Sequence, residues 1–195
     1  MSCSAIVGLG NPGAQYAQTR HNLGFWLLDH LADTQQVVFQ EKSKFRAEIT
    51  KFSYAEKSFM LVKPLTFMNE SGKFLKMLLS KNNCEISDTI LIHDELTLPV
   101  GRMKISKRNG DGGHNGVRSV FSAIGSDLIR FRLGIGQKKN PTMDLADHVL
   151  SKFIPDEIQL LEKQKENFLN ALMSLITEGV DKAMNRYNQT SPNSI

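Results

Sequence analysis

The stretch Ala5-Ile6-Val7-Gly8-Leu9-Gly10-Asn11-Pro12-Gly13 decides how the rest of the chain is read. An apolar run that suits a buried strand enters a loop matching G-x-G-x-x-G letter for letter. A strand that hands a glycine loop to a helix is the opening unit of an α/β fold. Taken alone, the pattern points to a dinucleotide and a nicotinamide-dependent oxidoreductase. Two features argue against that ligand. In a dinucleotide fingerprint the last glycine sits in the first turn of a helix whose amides hold a pyrophosphate. Here Pro12 has no amide hydrogen, and Pro12-Gly13 is a turn signal. No carboxylate closes a second strand ~20 residues further on; Asp29 and Asp33 fall in or just after the apparent first helix. The loop leads instead into Tyr16 and then Arg20-His21-Asn22, a polar cluster at a helix start.

Outward from that loop, strand and helix signals alternate. Ser4–Leu9 reads as a buried strand, and Leu23–Leu31 as a helix with Leu23, Trp26, Leu27 and His30 at helical spacing. Strands are expected at 45–52, 58–63, 89–93, 101–107 and 130–135, and helices at 69–81 and 117–124. One last helix starts at Pro155 and keeps Ile158, Leu161, Phe168, Leu172, Leu175, Ile176, Val180 and Ala183 on one stripe. The expected fold is a single α/β domain over residues 1–187, a mixed, mostly parallel sheet sandwiched by helices, with a flexible tail at 188–195. In such folds ligands bind outside the carboxyl ends of the strands. Gly10-Asn11-Pro12, Pro64 to Asn69 and His93-Asp94 all come after expected strands, so they converge on one site.

Composition narrows the class. The chain has 195 residues, 41% hydrophobic and 23% charged, enough for one domain with its own core. Lys plus Arg is 24 and Asp plus Glu is 20, a net charge of +4 that is compatible with an anionic partner. Cys3 and Cys84 are distant in sequence and lack C-x-x-C spacing, so neither a disulfide framework nor a zinc site is expected, and a reducing cytoplasm is the default. No signal peptide and no apolar run of ~20 residues is visible, so no membrane is expected as a partner.

The residues able to do chemistry are few. A histidine acts as a general base near neutral pH when a carboxylate holds its other nitrogen. His21, opening the first helix, and Asp94, closing a central strand, form the attractive pair; the plain alternative is a polar helix start and a strand-end turn former. Asn11 and Asn115 lie in turns and Asn69 at an expected helix cap, which asparagine fills well. Their neutral amides also suit a peptide or a developing oxyanion. Gly110-Asp111-Gly112-Gly113-His114-Asn115-Gly116 is glycine-rich enough to admit a large ligand or act as a lid. Basic residues surround it: Lys104, Lys107, Arg108, Arg118, Arg130, Arg132, Lys138 and Lys139. On one rim they would contact phosphates; a solvated face is the alternative. No G-x-S-x-G elbow, P-loop or H-E-x-x-H is present, and neither cysteine is placed as a nucleophile, which leaves water activated directly by a histidine.

Together these segments resemble bacterial peptidyl-tRNA hydrolase. The matching strings are Val7-Gly8-Leu9-Gly10-Asn11-Pro12-Gly13, Tyr16 with Thr19-Arg20-His21-Asn22-Leu23-Gly24, and Lys63-Pro64-Leu65-Thr66-Phe67-Met68-Asn69-Glu70-Ser71-Gly72. His93-Asp94-Glu95-Leu96 with Leu98-Pro99 and Gly101, Gly112-Gly113-His114-Asn115-Gly116, and Arg132-Leu133-Gly134-Ile135-Gly136 come next, in order. The resemblance implies hydrolysis of the ester joining a peptide to the terminal ribose of tRNA, which recycles tRNA from peptides that left the ribosome. It implies His21 as the base that activates water and Asp94 as the residue that orients it. Asn11 and Asn69 would contact the peptide and the terminal nucleotide, and Asn115, next to His114, would position water or substrate. Tyr16, Phe67 and Met68 would line the cleft, with Lys104 and Arg132 on tRNA phosphates. The implied enzyme needs no metal or other cofactor, works as a monomer in the cytoplasm, and grips the acceptor stem and 3′ CCA end.

Three departures from the family pattern bear on the tRNA grip. Ser106 stands where many relatives carry a second lysine, Asp111 adds a negative charge to the glycine loop, and Gln137-Lys138-Lys139-Asn140-Pro141 replaces a commoner histidine-proline or arginine-proline turn.

Overall fold

In the computed structural model, residues 3–107, 110–138, 140 and 142–189 are described. Seven strands form one sheet: β1 (Cys3–Gly8), β2 (Gln40–Lys42), β3 (Ala47–Tyr54), β4 (Lys57–Pro64), β5 (Ile90–Glu95), β6 (Met103–Lys107) and β7 (Ile129–Gly134). Their order is β2-β3-β4-β1-β5-β7-β6. The four central strands β4, β1, β5 and β7 are parallel, and the antiparallel strands β2, β3 and β6 lie outside them. The mixed sheet is therefore parallel at its centre, as expected.

Alternation along the strands builds two cores. Ile6, Leu61, Ile92 and Phe131 face one way, onto α1 (Leu23–Thr34), α5 (Pro155–Glu178) and α6 (Val180–Tyr187). Ala5, Val7, Met60 and Leu91 face the other way, onto α2 (Leu75–Lys81) and α3 (Asn115–Ile124). Central strands with both faces covered read as continuous apolar runs, which is why β1 and β5 were legible.

The glycines of the opening motif serve packing. A Cβ on Gly8 would lie 2.6 Å from the Gly24 carbonyl oxygen, and one on Gly24 only 2.5 Å from the Leu9 main chain. Gly10 lies under the Phe25 ring, 2.7 Å from where its Cβ would sit. The glycines let the start of α1 cross the end of β1 at backbone contact, a space a pyrophosphate would otherwise need.

Three expectations change. The helix expected at 69–81 begins only at Leu75; Met68–Glu70 is a 3-10 turn, and the Gly72 amide donates to Ser119 Oγ on α3 at 3.0 Å. Asn69 therefore caps no α-helix. The last helix is broken at Gly179, whose φ of +90° no α-helix accommodates, giving α5 and α6. A short helix, α4 (Leu145–Leu150), was not expected at all. Past α6, Asn188 still bonds both the N–H and the carbonyl of Ile105, each at 2.8 Å. The rest of the expected tail, 190–195, lies outside the described residues.

Candidate active site

The loops after β1, β4 and β5 open onto a cleft of about 550 Å³, closed on its other sides by the start of α3 and by α4. Parallel order makes this inevitable: β4, β1 and β5 are neighbours, so their carboxyl ends deliver Met68, Asn11 and Asp94 to the same edge.

His21 lies in the 3-10 turn Arg20–Asn22 that leads into α1. Its Nδ1 is 2.9 and 3.0 Å from the two carboxylate oxygens of Asp94. An ionised carboxylate only accepts, so Nδ1 carries a proton, and in the neutral ring the lone pair is on Nε2. The turn is held in place from behind. Arg20, itself buried, donates to Ser151 Oγ at 3.1 Å, to the Ile135 carbonyl at 2.9 Å and to Glu157 at 2.6 Å.

His114 occupies the N-cap of α3. Its Nδ1 accepts the main-chain N–H groups of Gly116 at 3.1 Å and Val117 at 3.3 Å, which fixes the proton on Nε2. That Nε2–H donates to Asp94 Oδ1 at 2.8 Å. Asp94 is buried at 3% exposure. Burial pushes its carboxyl up, but attraction to His114 and His21 and the hydrogen bonds from both rings prevail, holding it well below the usual carboxylate range. Its neighbour His93 is wholly buried, with Nδ1–H donating to the Asp94 carbonyl at 2.7 Å and Nε2 unpartnered. Burial first, and then the neighbouring His114, push its pKa down to about 3. His93 and His114 meet edge to face, ring centroids 5.0 Å apart.

Asn11 is held by both of its ends. Its N–H donates to Asn22 Oδ1 at 2.8 Å, and its carbonyl accepts from Asn22 Nδ2 at 2.9 Å. Its own Oδ1 accepts the Met68 N–H at 2.8 Å, which settles the amide orientation. The Asn11 Nδ2 hydrogens have no partner among the described residues and are available to a ligand.

His21, Asp94 and His114 also offer three ligand-type atoms within 4.8 Å of one another. Both rings aim those atoms at one carboxylate as hydrogen bonds. As folded, the carboxylate accepts from both rings, so these atoms are engaged with one another.

Comparison with known proteins places this geometry. The sequence profile of the peptidyl-tRNA hydrolase family matches residues 5–194. Two relatives named peptidyl-tRNA hydrolase, from Thermodesulfovibrio yellowstonii and Dichelobacter nodosus, are 41% and 43% identical, over 94% and 92% of this chain and 98% and 95% of theirs. The crystal structure of peptidyl-tRNA hydrolase from Acinetobacter baumannii superposes with a TM-score of 0.90 at 34% identity, covering 98% of this chain and 97% of that one. The chain belongs to the peptidyl-tRNA hydrolase family.

In this family member, Asn11, Tyr16, His21, Phe67, Met68, Asn69, Asp94, His114 and Asn115 all line the one cleft. Lys104 and Arg132 do not; they are cross-strand partners on β6 and β7, β6 being an edge strand of the sheet. Arg132 is also the register partner of His93, and its guanidinium reaches Glu95 on the cleft wall at 3.3 Å.

The basic rim of this peptidyl-tRNA hydrolase is less free than its composition suggests. Arg130 is buried and donates to the Gly110 carbonyl at 2.8 Å. Arg118 pairs with Asp111 at 2.9 Å, which neutralises the extra charge of the glycine loop. Lys107 lies 3.6 Å from Asp181, and Lys138 donates to the Met143 carbonyl. Ser106 is buried, so its hydroxyl offers no surface contact in place of a lysine. Arg108 and Lys139 lie outside the described residues.

Sequence reasoning missed three contributors. Asn22 was seen only as part of a polar cluster, yet it clamps Asn11. His93 was read only as preceding Asp94. The wall formed by Asp144, Leu145, Ala146, Val149 and Leu150 went unnoticed. Its signals were present: Asp144 caps α4 by accepting the Ala146 N–H, and Leu145 and Val149 are one helical turn apart.

Proposed function

We propose that this member of the family hydrolyses the ester between a peptide, or an N-blocked amino acid, and the 3′-terminal ribose of tRNA, recycling tRNA released from stalled ribosomes. The observation that supports it best is the His21–Asp94 contact, which in the neutral ring directs the lone pair to Nε2, on a ring lining the cleft.

His21 Nε2 takes a proton from water as that water attacks the ester carbonyl carbon. Asp94 keeps the ring in the required tautomer and stabilises the imidazolium that forms. Negative charge then develops on the carbonyl oxygen, where neutral amide donors suit it; Asn11 Nδ2 is one already aimed and uncommitted. Collapse expels the ribose oxygen, which takes the proton from His21. An activated ester needs no stronger catalyst than one base and a few donors.

Asn69 and Asn115 stand where a peptide and a terminal nucleotide would enter, and Tyr16, Phe67 and Met68 supply apolar walls. Phe67 is 58% exposed, as a surface that stacks on a ligand would be. Lys104 and Arg132 extend the site toward the acceptor stem, and their pairing across β6 and β7 supports a shared phosphate contact. The enzyme acts as a monomer in the cytoplasm. No helix among the described residues is long and apolar enough to cross a membrane. Selectivity against aminoacyl-tRNA rests on the first peptide amide, since a free α-amine is partly charged at pH 7 and lacks that carbonyl acceptor.

The test is release of an N-acetylated amino acid from charged tRNA by the purified chain. Rapid release of the acetylated form, with the free-amine form spared, supports the reading. Equal rates for both forms, or release of neither, overturns it.

A further inference from the structure

Cys3 and Cys84, distant in sequence, stand against each other in the fold. Cys3 opens β1, and Cys84 lies in the turn between α2 and β5. The two are paired residue to residue in a parallel bridge, with the Cys3 N–H donating to the Asn83 carbonyl at 3.4 Å. Directly paired strand residues lie about 5 Å apart at Cα, within the span a disulfide bridges. Both residues are buried, at 6% and 7% exposure, and both are free thiols.

Each thiol donates to a nearby carbonyl, Cys3 Sγ to Ser4 and Cys84 Sγ to Asn82, both at 3.7 Å, and each changes the acidity of the other. The neighbouring Cys84 thiol acts against burial and, with smaller help from Ser58 and Lys51, brings Cys3 down to about 6. The same contact pushes Cys84 up. Cys3 is thus the more acidic of the two thiols. Among the described residues no His, Asp, Glu or further Cys joins them in a metal-holding group.

We propose that Cys3 and Cys84 are a modification site for hydrogen peroxide, with Cys3 as the attacking thiolate and Cys84 as the resolving thiol. The Cys3 thiolate attacks one peroxide oxygen, the O–O bond breaks, and hydroxide leaves and takes a proton as water. Cys84 then attacks the Cys3 sulfenic acid, loses its proton and expels a second water. Two thiols lose two electrons in all, and one peroxide gains them. Slight exposure suits a small oxidant better than a protein disulfide.

The bond staples the start of β1 to the approach to β5. Asn11 and His21 follow the far end of β1 and Asp94 sits at the far end of β5, so the site geometry is expected to be untouched. The linked form is therefore expected to resist unfolding while keeping its activity.

The experiment exposes the reduced full chain to hydrogen peroxide, with intact-mass and peptide mass spectrometry as the readout. The proposal predicts loss of two hydrogens, a linked Cys3–Cys84 peptide, and joint disappearance of both thiols toward an alkylating agent. Melting temperature rises by about 5–10 °C and returns with dithiothreitol. Cys84→Ser stops at a Cys3 sulfenic acid that dimedone traps, whereas Cys3→Ser gives no adduct at Cys84. Oxygen added independently at each sulfur, a link between two chains, or a lower melting temperature would overturn it; these readings on the wild type stand without the variants.

Discussion

His114 donates its Nε2–H to Asp94 Oδ1 across 2.8 Å, the same oxygen that His21 Nδ1 approaches at 2.9 Å. The donor is fixed by the opposite edge of the ring, where Nδ1 caps α3. A helix N-terminus thus sets the tautomer of one histidine, which helps hold the carboxylate for another.

Removing that chain of contacts should separate stability from catalysis. His114→Ala is expected to lose about 1 kcal/mol of stability with the cap and to lower kcat about 10-fold or more through a less constrained Asp94. Asp94→Asn keeps the size of the side chain but not its charge, and should lower kcat by about 10²- to 10⁴-fold. Single-turnover hydrolysis and thermal melts measure both. A kcat unchanged in Asp94→Asn would contradict the orienting role.

Asn11→Asp isolates one donor. Aspartate still accepts the Met68 N–H but offers no Nδ2 hydrogens. A melting temperature near wild type is expected, with kcat/KM down by about 10- to 10²-fold. Asn22→Ala should lower both, because it frees the Asn11 main chain on each side. Equal kcat/KM in Asn11→Asp and wild type would remove Asn11 from the substrate contacts.

The buried His93 gives stability a definite pH dependence. Its folded pKa, about 3, lies below its ordinary value of 6.5, so between those limits the unfolded chain binds the proton and the folded chain does not. The His93 contribution is therefore complete above pH 6.5 and is lost progressively as pH falls toward 3. Asp94, also held below its ordinary range, adds loss in the same direction at the acid end. The free energy of unfolding measured by urea titration should fall from pH 7 to pH 4, by up to about 1.4 kcal/mol per pH unit for the one proton. His93→Gln should show a shallower slope; an identical slope would assign the effect elsewhere.

The β6–β7 edge should behave as a phosphate contact. Lys104→Ala and Arg132→Ala are each expected to weaken tRNA binding and to reduce the salt slope by about one unit of log K against log salt. Titrations at several salt concentrations decide it. Arg130→Ala, by contrast, removes a buried group tied to the Gly110 carbonyl and should appear chiefly as lost stability.

How far the sequence carried depended on the range of the interactions involved. β1 and β5 were legible because burial on both faces leaves a run of apolar residues, as in Ile90-Leu91-Ile92. The β3–β4 hairpin turns through Ala55 and Glu56 at φ of +47° and +63°, positions where neither residue type announces a turn. The convergence of Asn11, Asn69 and Asp94 was expected from strand ends, and His21 was paired with Asp94 as a histidine opening the first helix. Asn22 clamping Asn11, His114 meeting Asp94, and Cys3 facing Cys84 are contacts across strands and loops that no local pattern encodes. The opening glycines match a dinucleotide pattern in sequence, but what they admit at close range is α1, at Gly24.

The central claim is that His21 activates the attacking water. Its most direct test is single-turnover hydrolysis of N-acetylated aminoacyl-tRNA by wild type and His21→Ala at equal substrate occupancy. Binding of tRNA by His21→Ala is expected within a few-fold of wild type, with a hydrolysis rate lower by at least about 10²-fold. A variant that hydrolyses the ester at the wild-type rate would contradict it.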